Sequence, residues 1–213
     1  MVAGFALYFV ALWYLWYTPV VYPLKIFVVL LHEVSHAVAL VLTGGQVESI
    51  TLNPMQGGAT YGLGGIPFVT LSAGYLGSLA FGALLVVGAQ ARHVSSRFLL
   101  GLVGGLVLAL TLLYIRNGFG LAFGLLFGSA MVFGARRLPV IWSQGILVVL
   151  GITSVLYAIL DIKSDILDRP QLQSDAAMLA ELTGVPTVFW GVAWITVAIV
   201  AATLLFRRTL RRA

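Results

Sequence analysis

His32-Glu33-Val34-Ser35-His36 spell H-E-x-x-H inside an apolar stretch long enough to cross a bilayer, with Ile26 to Leu31 before the motif and Ala37 to Leu42 after it. On an α-helix, histidines four positions apart lie one turn apart on the same face, so both imidazoles reach one metal ion. Glu33 stands beside them, placed to take a proton from a water held at that ion. Histidine and acidic residues are scarce, 3 and 7 among 213, so chance does not readily produce the pattern. Two imidazoles and a carboxylate at membrane depth are also costly to keep without a compensating role.

The flanks of the motif are typical of the whole chain. It is 61% hydrophobic and 9% charged, with a mean hydropathy of +1.05, values outside the range of soluble domains. The sequence therefore reads as one all-α polytopic membrane protein domain over 1–213. It predicts six to seven transmembrane helices and a small β-hairpin-like insertion after the metal-binding helix. With no cysteine in the chain, thiolate chemistry is excluded and metal ligands must be histidines and carboxylates. The net charge of +5 sits in short loops and the tail, where it orients the chain in a lipid bilayer rather than binding nucleic acid. The N-terminus lacks a basic leader region, so the first apolar block reads as a retained helix.

The expected spans run over 3–20, 22–43 (the metal helix, ending at Thr43-Gly44-Gly45), 67–87, 98–115, 118–133, 140–160 and 187–206. Between the second and third, segment 46–65 alternates in the manner of two short strands around Asn53-Pro54-Met55-Gln56-Gly57-Gly58. An open strand edge beside a metal can pair with an extended substrate. Gly120, Gly124 and Gly128 make a small-residue stripe suited to helix packing. Ser174 caps a short helix through Glu181, with Asp175 favourable in its first turn and Gly184-Val185-Pro186 ending it. Seven spans with a cytoplasmic arginine-rich tail put Lys25, Arg92, Arg97, Arg136 and Arg137 on the cytoplasmic side, and Arg116, Lys163 and Arg169 opposite.

A catalytic zinc takes three protein ligands and keeps one position open. The remaining histidine, His93, lies beside Arg92 in a loop and reads as a solvated residue. A carboxylate from the region 140–168 is therefore the expected third ligand. Asp161 and Asp165 are one turn apart on a continuing sixth helix, and Asp161 lies deeper in the apolar segment, where an unpaired charge costs most. Either is a candidate. Tyr157, one turn before Asp161, is placed to donate a hydrogen bond to a ligand or an oxyanion. Asn53 and Asn117 are weaker candidates for contacts with the oxyanion or the substrate backbone.

With these residues the chain resembles the site-2 protease family of intramembrane zinc metallopeptidases, in particular its compact bacterial branch without a PDZ domain. The resemblance rests on His32-Glu33-Val34-Ser35-His36 in a membrane helix, Gly44-Gly45 and the hairpin-like segment, and Ser72-Ala73-Gly74-Tyr75-Leu76-Gly77. The late Leu160-Asp161-Ile162-Lys163-Ser164-Asp165 stretch and Ser174-Asp175 to Pro186 add to it. It implies a multi-pass protein of the bacterial cytoplasmic membrane with one zinc ion. His32, His36 and a late aspartate, Asp161 or Asp165, would be ligands and Glu33 the base. The implied reaction is hydrolysis of peptide bonds in or near transmembrane segments of membrane-protein substrates. One departure stands out: better-known members carry the aspartate in Leu-Asp-Gly or Asn-Pro-Asp-Gly, whereas Ile162 follows Asp161 here.

Two other readings use the same residues. A non-catalytic homologue that binds membrane proteins has no need of Glu33. A divalent-metal carrier shows paired repeats with interrupted helices in both halves, whereas only one half of this chain places histidines in a spanning helix.

Overall fold

The computed structural model describes Leu12, Tyr14, Leu15, 18–163 and 173–211. The span expected at 3–20 falls largely outside these residues, and Asp165, Asp168 and Arg169 lie outside them altogether. Seven helices and one two-stranded antiparallel sheet are described: α1 (Tyr22–Leu42), β1 (Gln46–Asn53), β2 (Gly57–Leu63), α2 (Pro67–Ala89), α3 (Ser96–Tyr114), α4 (Gly118–Arg137), α5 (Val140–Lys163), α6 (Asp175–Thr183) and α7 (Thr187–Arg211). All but the nine-residue α6 are long and apolar enough to cross a membrane.

The metal-motif helix is the most enclosed of the six, and its burial follows from what packs on each side. Pro23 and Pro67 open α1 and α2 in the first turn, where a missing N–H costs nothing. Small residues on α2 then bring it close to α1. A Cβ on Gly77 would run into the Ser35 side chain, and one on Gly74 would strike both motif histidines. On its other side α2 meets α5 with equal intimacy. There, a Cβ on Gly82 would come within 2.7 Å of the Gly151 carbonyl, and Ser154 donates a hydrogen bond to the Ser78 carbonyl at 2.7 Å. The expected glycine stripe does pack helices: Gly124 faces Thr111 and Gly128 faces Leu108 and Gly104 across the α3–α4 pair.

The hairpin forms where the alternation placed it, with Asn53 opposite Gly57 and Gln46 opposite Leu63. Its turn is closed by the Gln56 N–H to the Asn53 carbonyl (3.1 Å) and by the Asn53 side chain accepting from the Met55 N–H (2.7 Å). Rather than projecting from the end of α1, the hairpin folds back along it. Gly62 approaches Leu40, Thr60 reaches Glu33, and the Tyr22 hydroxyl donates to the Pro54 carbonyl at 2.7 Å.

The edge of β1 is occupied. Ile115 bridges Ile50, the Arg116 N–H donates to the Ile50 carbonyl at 3.2 Å, and the Asn117 amide pairs with both backbone groups of Leu52 at 3.1 and 2.6 Å. Asn117 thus imitates a neighbouring strand. The sheet has only these two strands, so among the described residues the far edge of β2 has no strand partner.

Candidate metal centre

α1 delivers His32, Glu33 and His36 to one cleft because the 3.6-residue turn puts positions 32 and 36 on one face and 33 beside it. The two rings sit 4.7 Å apart, edge to face. His36 donates from Nδ1 to the Thr70 carbonyl of α2 at 2.7 Å. That bond fixes the tautomer and leaves the Nε2 lone pair directed into the cleft. Tyr75, also on α2, packs edge to face on the His32 ring at 4.8 Å and is braced from behind by Trp194 of α7.

The third member comes from α6. Asp175 Oδ2 lies 2.9 Å from His32 Nε2 and 3.1 Å from His36 Nε2. Ser174 caps this helix by accepting the Ala177 N–H at 3.3 Å, and Gly184 ends it with φ +73°. Ala176 and Leu179 of α6 insert into an apolar cluster with Tyr75, Ile162 and Trp194, and this packing aims Asp175 at the histidines. Burial pushes the Asp175 carboxyl up, but the two histidines bonded to it outweigh that and hold it below the usual carboxylate range.

The donor chemistry of this cluster fits a metal ion. The ligand atoms of His32, His36 and Asp175 all lie within 4.8 Å of one another. Two nitrogen donors and one carboxylate oxygen suit zinc, whose bonds of about 2.0–2.2 Å put tetrahedral ligand atoms roughly 3.3 Å apart. With its Nδ1 proton committed to Thr70, a neutral His36 turns its Nε2 lone pair toward the carboxylate oxygen, so this close approach is favourable only with a shared cation, a proton on Nε2 or a metal in its place. Gly74 contributes by absence, since any Cβ there would occupy the space beside both Nε2 atoms.

The cleft holds about 640 Å³, and its lining includes the three residues, Glu33, Tyr75 and Asp161. Residues 57–61 of β2 form part of its wall. Glu33 is buried, with Thr60 Oγ1 at 2.8 Å from its carboxylate.

The sequence matches the family model described as Peptidase M50B-like over residues 5–205. The chain belongs to the Peptidase M50B-like family. The resemblance to site-2 proteases noted from the motifs is thereby supported over nearly its whole length. No curated protein and no solved structure matches it.

Within this M50B-like chain the candidate residues separate. His32, Glu33 and His36 come together as the motif predicts. Asp161 lines the same cleft from the end of α5, yet the residue between the two imidazoles is Asp175. Asp165 lies outside the described residues. Tyr157 is buried in the central apolar core and is not part of the cleft lining. Asn53 and Asn117 line a second pocket on the hairpin, which shares Gly57, Gly58, Ala59 and Tyr61 with the cleft, and their amides are engaged with Met55 and Leu52. The sequence reading missed Asp175 as a ligand candidate, along with Thr60, Gly74 and Tyr75. Asp175 was legible only as a first-turn helix charge, and Thr60 only as one residue of a strand.

Proposed function

We propose that the chain is a zinc-dependent intramembrane endopeptidase in which His32, His36 and Asp175 hold one zinc ion and Glu33 is the general base and acid. The observation that carries the reading is the 2.9 and 3.1 Å approach of one Asp175 oxygen to both motif histidines. Membership of a metallopeptidase family supports it. A zinc ion bound there would supply a Lewis acid and lower the pKa of water. Glu33, next to His32 on the same helix, takes a proton from the attacking water and returns it to the departing amine. His36 keeps its Nε2 lone pair inward through Thr70, and Asp175 balances the charge of the site.

A helical peptide bond is sterically shielded, so a transmembrane substrate must be held extended. Among the described residues the far edge of β2 has no strand partner, β2 also lines the cleft, and strand addition at that edge would present a substrate backbone to Glu33. The proposed substrates are therefore membrane proteins cleaved in or near a transmembrane segment, within the bacterial cytoplasmic membrane.

The test is zinc content of the purified protein together with cleavage of a model transmembrane substrate in proteoliposomes. Wild type should contain one zinc and cleave, and Glu33→Gln should keep zinc without cleaving. Asp175→Ala should lose zinc while Asp161→Ala retains it. Zinc-independent cleavage, or cleavage by Glu33→Gln at the wild-type rate, would sink the proposal. Transport of zinc into vesicles without proteolysis would instead favour a carrier.

A further inference from the structure

Thr60 reaches across from the hairpin to Glu33, where its one hydroxyl proton is within reach of two acceptors. Its Oγ1 lies 2.8 Å from Glu33 Oε2 and 2.9 Å from the Glu33 backbone carbonyl oxygen. A hydroxyl held against both the carboxylate and the main chain of one residue limits how that side chain can swing relative to its own helix. Two positions earlier on the same face of β2, Gly58 lets the strand lie against the carboxylate. A Cβ there would come within 2.7 Å of both Glu33 Cγ and Oε1. The alternation of β2 thus sets Gly58 and Thr60 toward Glu33. The carboxylate is buried, so removing the Thr60 hydroxyl removes a fixed donor and leaves the aim of that oxygen unset.

We propose that Thr60 is a positioning residue for the general base: the strand that walls the cleft also fixes the aim of Glu33. This rests on the assignment of Glu33 as base made above. It gives the hairpin a second role besides offering an edge to substrate. The base is aligned by an element separate from the metal ligands, so its alignment can be lost while the metal stays bound. The two effects also part kinetically. Loss of alignment lowers kcat, whereas loss of an edge contact made equally in ground and transition states raises KM.

The test compares wild type with Thr60→Val, which keeps the shape and removes the hydroxyl, and Thr60→Ser, which restores the hydroxyl without the methyl. Zinc content and kinetics on a model transmembrane substrate are measured for each. Thr60→Val should retain stoichiometric zinc and lose about 10- to 100-fold in kcat with little change in KM, the range expected for one hydrogen bond to a charged group. Thr60→Ser should recover most of that loss. A second readout is independent of turnover. The chain has three glutamates, Glu33, Glu48 and Glu181, so infrared spectra of carbon-13 glutamate-labelled protein, subtracted from Glu33→Gln, isolate the Glu33 carboxyl band. That band should shift in Thr60→Val and return in Thr60→Ser. An unshifted band, unchanged kcat in Thr60→Val, or a Thr60→Ser protein as impaired as Thr60→Val would each overturn the proposal. If wild type shows no Glu33-dependent cleavage, the function proposed above fails instead, and the infrared comparison alone decides whether Thr60 holds Glu33.

Discussion

Asp175 Oδ2 stands 2.9 Å from His32 Nε2, although 143 positions separate the two residues in the chain. The motif helix supplies two of the three side chains in this cluster, and a nine-residue helix near the far end of the chain supplies the third. If this pair anchors a metal, Asp175→Ala should weaken zinc binding by more than about 100-fold, since loss of even an outer hydrogen-bonding partner costs roughly 10–100-fold. Asp161→Ala should leave stoichiometric zinc. Metal analysis after dialysis against a graded chelator series decides between the two aspartates, and the opposite pattern would return the ligand role to Asp161.

Glu33→Gln separates chemistry from structure. The amide keeps the size of the side chain and a hydrogen-bonding oxygen for Thr60, but it does not accept the water proton. Cleavage should fall by at least about 10²- to 10⁴-fold, the usual worth of a positioned general base. Zinc content and melting temperature should stay near those of wild type. A variant that loses zinc as well would show that Glu33 is needed to build the site.

Gly74 leaves room for both imidazoles, and filling that room should be felt first at the metal. Gly74→Ala places a methyl group 2.6 Å from His36 Nε2 and closer still to His32. Zinc occupancy should drop sharply. Gly105→Ala on α3, where a Cβ meets nothing within 4 Å, is the matched control and should be silent or slightly stabilising. Equal zinc in both variants would mean that the rings can move aside.

Asn117, a weaker sequence candidate for an oxyanion or substrate contact, also holds the edge of the hairpin. Its amide spans the N–H and carbonyl of Leu52, closing the edge of β1. Asn117→Ala should therefore lower thermal stability by about 1–3 kcal/mol, through two backbone groups left without partners, with kcat changed much less. A pure loss of kcat at unchanged melting temperature would support the oxyanion contact instead.

The membrane class, the motif helix and the hairpin are all legible in the sequence, because each is written in local periodicity. Apolar runs of bilayer length give spans, H-E-x-x-H gives one coordinating face, and alternation around Asn53-Pro54 gives two strands. Boundaries moved by a few residues; α4, for example, extends past Phe133 to Arg137. Ser174 and Gly184 marked the ends of α6 correctly, yet nothing local revealed what its first residue faces. Four aspartates fall between positions 161 and 175, and cost of burial favoured Asp161 because it lies deepest in an apolar run.

That criterion measures depth along the sequence, whereas coordination depends on direction in space. The sequence by itself determined that this chain has the apolar spans of a membrane protein and carries a one-faced histidine pair with a carboxylate beside it. Which aspartate meets that pair was decided by the packing of Ala176 and Leu179 against Tyr75, Ile162 and Trp194. The contact between Thr60 and Glu33 was decided by the register that folds β2 back along α1. Both are long-range contacts between elements whose own patterns are satisfied in many relative placements, and only the closed packing of the whole selects one.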